Sequence, residues 1–423
     1  MHLPLLFVLS VLLVLCLLAM EGRAGDERVA IGTPPPEGVI EVVDLGGIGC
    51  SLVELNDGSL MLVRGEDYLL STDEGVTWSE PQPFAEGLSG NGITRLASGA
   101  LALTGGPGGW LSEDEGKTWS PMAEPFPRMM GKPPAGLGDE MIQLSSGRLV
   151  WPRHVGFGGR HPELLYEDVS AYGVWRGQRV QTEGHGHLPE IYVTLVSYSD
   201  DEGQTWKLAE GNHGNVNALM GWFDAEGLPT GYAGVTGCGE ATVAETQNGR
   251  ILLFARPTVN RIVSSYSADA GESWSAVLPA ALANSISPPR LRRIPSTGDL
   301  MCVWNQVSAE EIRRGYRRGR LSVAISRDSG ETWENFKTIE VSEGLDDVDR
   351  VPADYPIKLV RARDDVGQLP DGFGYFHYAN VCFARDKAYI MYSRGAPSLG
   401  IAEQNLHKQE QVLRIYPLEW LYS

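Results

Sequence analysis

Basic side chains are scarce in this sequence. Its 423 residues carry 35 Lys and Arg against 54 Asp and Glu, a formal net charge of −19. A chain so acidic offers no broad basic patch, which excludes nucleic acid and anionic membrane surfaces as partners. Cysteine is also scarce, with 5 in all. No C-x-x-C pair and no Cys/His spacing of a zinc site occurs, and the acidic loops show no calcium-loop spacing, so neither metal nor cofactor is expected. Long apolar runs are absent except for one, LPLLFVLSVLLVLCLLAM, ending at Met20. In that position it reads as a secretory signal, with Gly22-Arg23-Ala24 as a small-x-small cleavage site and an uncleaved anchor as the alternative. The expected division is a signal peptide over 1–24, a polar, Pro-rich tether over 25–38 and one domain over 39–423, in a secreted or periplasmic protein. Cleavage leaves Cys50, Cys238, Cys302 and Cys382. Export permits disulfides among them in any of three pairings, and buried free thiols fit equally well.

What the chain has in abundance is repetition. The octapeptide Ser-x-Asp-x-Gly-x-Thr/Ser-Trp is written as STDEGVTW from Ser71, SEDEGKTW from Ser112, SDDEGQTW from Ser199, SADAGESW from Ser267 and SRDSGETW from Ser326. Self-similarity at this spacing signals a repeat architecture. Asp at the head of a tight turn is expected to bond backbone N–H groups two residues on, Gly to supply a positive φ, and Trp to pack back as an apolar anchor. The octapeptide is therefore read as structural.

Before each copy stand two apolar runs around a Gly: LVELNDGSLMLV at Gly58, ITRLASGALAL at Gly99, MIQLSSGRLVW at Gly147, TVAETQNGRILLF at Gly249 and LRRIPSTGDLMCVW at Gly298. A sixth, VCFARDKAYIMY, turns at Asp386-Lys387 and is followed by no octapeptide. Each unit reads as a four-stranded antiparallel blade. Six blades make an all-β, six-bladed β-propeller with five octapeptide hairpins, closed into one domain. The strand GVIEVVDL, from Gly38, is expected to complete the last blade. Blade three carries an insertion over Arg153 to Pro189, with His154, His161, His185, His187 and Trp175, of the kind that rims a functional face.

A propeller site sits where the innermost strands begin. Counting nine residues back from each turn gives Gly49, Gly90, Gly138, Glu240 and Pro289, with Tyr378 as the sixth. Glu240 and Tyr378 alone carry chemistry, and a carboxylate facing a phenol can form a base and nucleophile pair. Arg256 ends an otherwise apolar strand and needs a carboxylate from the protein or from a ligand. Arg318 or Arg320, within the run Arg313 to Arg320, is a second cation. A solvated basic loop is the other reading of that run.

The octapeptides resemble the Asp boxes, or BNR repeats, of the sialidase superfamily, over nearly the whole mature chain. CGEATVAETQNGRILLFAR, RGRLSVAISRDSGETW, YFHYANVCFARDKAYIMYS and GLGDEMIQLSSGRLVWP resemble ordered elements of that superfamily. The resemblance implies a sialidase-like propeller and an exported glycoside hydrolase. Its activity would be exo-α-sialidase, on a sialylated or other acidic glycan. It implies Tyr378 as nucleophile, Glu240 as its base, and Arg256 with Arg318 or Arg320 as the clamp on the substrate carboxylate. Sialidases are the tyrosine exception among glycosidases. An acid/base Asp before the first octapeptide falls at Asp67, with Glu66 second. The family's blade-one Arg would fall where Ile48 stands; Arg64 and Arg95 are the nearest. Two other readings stay open. One is a propeller glycosidase on a different sugar, with His154, His185 or His187 catalytic. The other is a propeller that binds carbohydrate without catalysis.

Overall fold

The structure is a computed structural model. It describes residues 31–423 except 46–49, 106–107, 128–133, 137–139, 159–171, 176–177, 182–189, 210–214, 217–218, 224–228, 236–237, 258–259, 276, 346–368 and 401–407. Between 155 and 193 and between 210 and 237 it describes the backbone only. The signal segment 1–24, the first part of the tether, Ile48, Gly49, Gly138, His161, His185 and His187 lie outside the described residues.

The repeats fold as blades. Blade one is Ser51–Glu54, Leu60–Arg64, Asp67–Ser71 and Gln82–Pro83, hydrogen-bonded in that order. Blade two runs from Gly92–Arg95 to Ser120–Pro121, and blade three from Ile142–Gln143 to Lys207–Leu208. Blade four (Gly239–Glu245 to Leu278–Ala283) and blade five (Arg290–Arg293 to Glu334–Val341) follow the same order. Blade six takes Tyr375–Ala384, Lys387–Gly395 and Glu410–Pro417 from the end of the chain and Ile40–Val43 from its beginning. Ile40 pairs with Ile415 and Val43 with Val412, so the N-terminal strand completes the last blade as expected. Gly32–Ser423 thus make one compact unit, a sialidase-like six-bladed propeller.

Each octapeptide is a closed hydrogen-bond circuit. In the first, the Ser71 hydroxyl accepts the Gly75 N–H at 2.8 Å and donates to Asp73 at 2.9 Å. Asp73 accepts the Thr77 N–H at 2.9 Å and the Thr77 hydroxyl at 2.5 Å. The bond spanning two residues belongs to the Ser–Asp side-chain pair. The Asp itself reaches four residues on, further than the sequence suggested. Glu74 and Gly75 both have positive φ, at 62° and 90°, the pattern of a type I′ turn. Hydroxyl bonds from Thr77, Thr118 and Thr205 hold the carboxyls of Asp73, Asp114 and Asp201 below the usual range, Asp114 at about 2. At Asp269 and Asp328 burial pushes upward, but the bonds from Ser273 and Thr332 outweigh it.

The Trp that ends the octapeptide seals a seam between blades. Trp333 of blade five lies 5.7 Å from Phe254 of blade four, and Trp119 of blade two lies 6.1 Å from Phe84 of blade one. Polar bonds join neighbouring blades at every seam. Ser51 Oγ donates to Ile93 O at 3.3 Å, Ala97 N to Gln143 Oε1 at 2.6 Å, and Thr194 Oγ1 to Cys238 O at 2.6 Å. The circle continues from Thr242 Oγ1 to Leu291 O at 3.2 Å, from Arg292 Nε to Val381 O at 3.2 Å and from Asn380 Nδ2 to Cys50 O at 2.7 Å.

Three details differ from the sequence reading. The sixth hairpin turns on Arg385 and Asp386 (φ 48° and 57°), with Lys387 already in the strand. Blade three has two additions. The hairpin Tyr172–Trp175 with Gln178–Gln181 lies inside the blade, and Leu219–Phe223 with Pro229–Val235 lies between blades three and four; the two hairpins touch. The blade-five basic run is not a solvated loop. It begins in a short helix, α1 (Ala309–Arg314), capped by a reciprocal Ser308–Glu311 box, and Arg317, Arg318 and Arg320 beyond the helix are buried. The cysteine alternatives resolve to thiols not joined by disulfides at Cys50, Cys238, Cys302 and Cys382, and burial pushes the Cys50 and Cys238 thiols up to about 12.

The octapeptides generate a pH prediction. A carboxyl held low in the fold stabilises it fully above its unfolded value of 3.8, and that contribution is lost as pH falls toward about 2. Denaturation midpoints should therefore fall between pH 4 and 2 more steeply in the wild type than in Asp114→Asn. Ser267→Ala, which strips the Gly271 N–H of its acceptor, should cost about 1–2 kcal/mol in urea unfolding.

Candidate functional site

Two innermost strands break register at one place. In blade four, Gly239 faces Arg256 and Thr242 faces Phe254, with a bulge at Glu240 and Ala241. In blade six, His377 faces Ser393 and Asn380 faces Met391, with a bulge at Tyr378 and Ala379. Glu240 and Tyr378 therefore occupy equivalent positions, both left-handed, with φ of 46° and 50°. A residue with a Cβ in that conformation costs on the order of 1–3 kcal/mol unless its surroundings enforce it. A bulge re-aims a side chain that a regular strand would send elsewhere.

Glu240 is enclosed. Its carboxylate accepts Arg256 Nη1 at 2.6 Å, with only 9% of Arg256 and 13% of Glu240 side-chain surface exposed. Its backbone N–H donates to His154 Nδ1 at 3.2 Å. Burial pushes the carboxyl up, but Arg256 above all, with smaller contributions from His154 and Arg318, overcomes that and holds it at about 2. Glu240 is thus an anion in the folded protein. His154 is governed by burial, which takes its imidazole down to about 4. Accepting at Nδ1, it is the neutral Nε2–H tautomer.

Arg318 belongs with Tyr378. It precedes the blade-five strand Arg320–Ser326, has φ of 61°, and its guanidinium carbon lies 5.1 Å from the Tyr378 ring centre. The guanidinium also bonds His377 Nδ1. Its backbone is fixed on both sides, with Ser285 Oγ accepting its N–H at 3.1 Å and Phe376 N–H donating to its carbonyl at 2.9 Å. His377 is fully buried and stacks on Tyr378, with centroids 6.1 Å apart. The guanidinium over the ring is a cation–π contact with Tyr378.

The other expected residues fall as follows. Arg320 is directed away from this group, pairing with Glu311 of α1 at 3.6 Å and reaching the Leu345 carbonyl at 3.5 Å. Asp67 opens the third strand of blade one and faces Arg64 and Pro83. It is half-buried at the same end of the ring as Glu240, since first strands begin where second strands end. Among the described residues no ion pair or hydrogen bond joins Asp67 to Glu240 or Tyr378, and none joins the Tyr378 hydroxyl to the Glu240 carboxylate. Glu66 lies in the same turn. Arg64 reaches the Leu45 carbonyl at that end. Arg95 is at the opposite end, gripping Glu115 with two bonds of 2.8 Å.

Two contributors were not assigned these roles in advance. His377 stands next to Tyr378 in YFHYAN, the one signal available. His154 was weighed as a catalytic residue and is a backbone acceptor here. The arrangement can hold an anion near two guanidinium groups, keep one carboxylate ionised and polarise one phenol. Among the described residues no cluster of His, Cys, Asp and Glu could hold a metal.

Residues 103–387 match the BNR repeat-like domain family. No curated protein matches the chain. Among solved structures, a Dyadobacter fermentans protein of unknown function superposes with TM-score 0.51 at 16% identity, covering 90% of this chain and 99% of that one. An α-L-arabinofuranosidase from Fusarium graminearum superposes with TM-score 0.51 at 11% identity, covering 91% of this chain and 99% of its own. A Trypanosoma rangeli sialidase superposes with TM-score 0.46 at 14% identity, covering 90% of this chain and 56% of that one, and adds nothing to the assignment. At such identities the likeness is one of fold.

The Glu240–Arg256 pair supplies its own test. Arg256→Met should destabilise by about 3–5 kcal/mol, because it leaves a buried carboxylate uncompensated. Adding Glu240→Gln should recover a large part of the loss in a double-mutant cycle read by chemical denaturation. Additive losses would show that the pair is not coupled.

Proposed function

The chain belongs to the BNR repeat-like domain family, and from that premise we propose that it is a glycoside hydrolase acting on an acidic sugar, with exo-α-sialidase activity. One observation carries the reading: Glu240 and Tyr378 share a register-breaking, left-handed position on two blades, and each is covered by a guanidinium, Arg256 and Arg318. The apolar run before residue 24, read as a secretory signal, supports an enzyme that meets its glycan outside the cytoplasm.

The geometry suggests an order of events. A substrate carboxylate competes with Glu240 for Arg256. Once that ion pair is loosened, Glu240 is no longer held at about 2 and becomes a better base. The Tyr378 oxygen attacks the anomeric carbon as its proton passes to Glu240. Arg318, over the ring, stabilises the phenolate character that develops. Asp67 donates a proton to the leaving oxygen. The resulting aryl glycoside is opened by water, which Asp67 deprotonates, and the phenol recovers its proton from Glu240. A carboxylate nucleophile would repel a substrate whose anomeric carbon already bears a carboxylate; a tyrosine does not.

A second reading follows from the same ion pair. If Arg256 stays on Glu240 at 2.6 Å, it is not available to a substrate carboxylate, and a neutral sugar fits better.

Release of a fluorescent aglycone from an α-linked sialoside and from an α-L-arabinofuranoside separates these readings. Wild type should cleave the sialoside, and Tyr378→Phe should lose at least about 10²-fold in kcat. Cleavage of the arabinofuranoside alone would favour the neutral sugar. Inertness toward both by folded protein would leave carbohydrate binding without catalysis.

A further inference from the structure

Nothing in the blade-four sequence explains why Glu240 sits at φ 46°. Glycine is the usual occupant of a left-handed bulge position. The cause lies on the neighbouring blade. His154 belongs to the second strand of blade three, and its backbone is pinned on both sides: its N–H donates to the Ala135 carbonyl at 2.8 Å and its carbonyl accepts the Ala135 N–H at 2.7 Å. From that fixed point its ring places Nδ1 3.2 Å from the Glu240 nitrogen. The bulge otherwise directs that N–H away from its own strand partner, since the ladder lapses between Gly239 and Thr242. A buried N–H without an acceptor is costly, so the imidazole stabilises the conformation that aims the carboxylate at Arg256.

We propose that His154 is a positioning residue, whose unprotonated Nδ1 holds the Glu240 N–H and thereby keeps the Glu240 carboxylate aimed at the site. The consequence for turnover rests on the hydrolase reading above; the structural claim does not.

The proposal carries a sign with pH. Burial lowers the imidazole from 6.5 to about 4; Glu240, on the first strand of blade four, raises it, while Arg153 on its own strand and Arg256 on the second strand of blade four lower it. Protonation would fill Nδ1 with a proton and turn an acceptor into a donor facing a donor. Between pH 6.5 and about 4 the unfolded chain takes up this proton first, so falling pH weakens the fold; near 4 the folded protein takes it up and the bulge loses its acceptor.

The test uses the full-length protein, with nitrogen NMR of labelled histidine and amide exchange at Glu240, in wild type, His154→Asn and His154→Phe. Asn carries a carbonyl oxygen near the place of Nδ1 and does not titrate; Phe fills the space without an acceptor. In wild type His154 should be the Nε2–H tautomer, and Glu240 amide protection should collapse as the imidazole protonates near pH 4. His154→Phe should exchange at Glu240 about tenfold faster at neutral pH, the equivalent of one lost hydrogen bond. His154→Asn should stay protected through the acid range. On a cleaved glycoside, His154→Phe should lower kcat more than it raises KM, and His154→Asn should restore kcat.

An Nδ1–H tautomer in wild type, or equal Glu240 exchange in wild type and His154→Phe, would overturn the proposal. If His154→Phe does not fold, the wild-type tautomer and the pH dependence of Glu240 protection decide it. Absence of turnover in wild type counts against the hydrolase reading alone, because tautomer and exchange are measured without substrate.

Discussion

The structure depends on closing a ring. Open sheets have edges, and a circle of blades stays together only if its first and last members are joined. Here the join is strand Ile40–Val43 laid along Glu410–Pro417. A buried ionic knot stands behind it. Glu41 of the N-terminal strand meets Arg414 at 2.7 Å and Arg394 at 3.1 Å, and Arg414 and Tyr392 converge on Glu340 of blade five at 3.0 and 2.6 Å. Burial raises the Glu340 carboxyl, and the two arginines and the Tyr392 hydroxyl oppose it. Such a knot contributes little net energy over an apolar core, because desolvation offsets attraction. Its directional bonds instead define which strand is the partner. Everything at the centre follows, since six innermost strands converge on one axis only when the circle is complete.

The inner strands are then tied to one another by short polar bonds. Arg292 reaches from blade five to the Val381 carbonyl and to Asn380 of blade six, and Asn380 reaches on to Cys50 of blade one. This stitching adjoins the Tyr378 bulge. Glu240 and Tyr378 are held in left-handed conformations that a free strand would not adopt. Their stabilisation comes from neighbouring blades: His154 of blade three for one, Arg318 of blade five for the other. The cost of two left-handed residues is met by the ring as a whole, a common way for a binding or catalytic site to hold side chains in fixed aim.

The electrostatics follow from burial. An exposed Glu–Arg pair would be a minor contribution, but Glu240 and Arg256 are shielded from water and control each other's state. A ligand that approaches Arg256 must therefore bargain with Glu240. Arg318 bonds the His377 imidazole, covers the Tyr378 ring and also acts on the Glu240 carboxyl through its charge.

The repeats determined the architecture by themselves. Five octapeptides and six apolar hairpins carry local instructions: a Ser–Asp–Gly–Thr circuit closes within eight residues, and the Gly of the first five hairpins takes a positive φ that needs no distant partner. The equivalence of Glu240 and Tyr378 was also readable, because both stand at a fixed distance from their turns. Other features were decided only by the tertiary structure. Arg318 and Arg320 are two residues apart in one basic run, yet one covers Tyr378 and the other caps its charge on Glu311. His154 and Glu240 are far apart in sequence and meet because neighbouring blades do. A turn's hydrogen bonds close within a few residues and can be read along the chain, whereas the partner of a buried charge or of a bulged N–H is set by which blade lies alongside it.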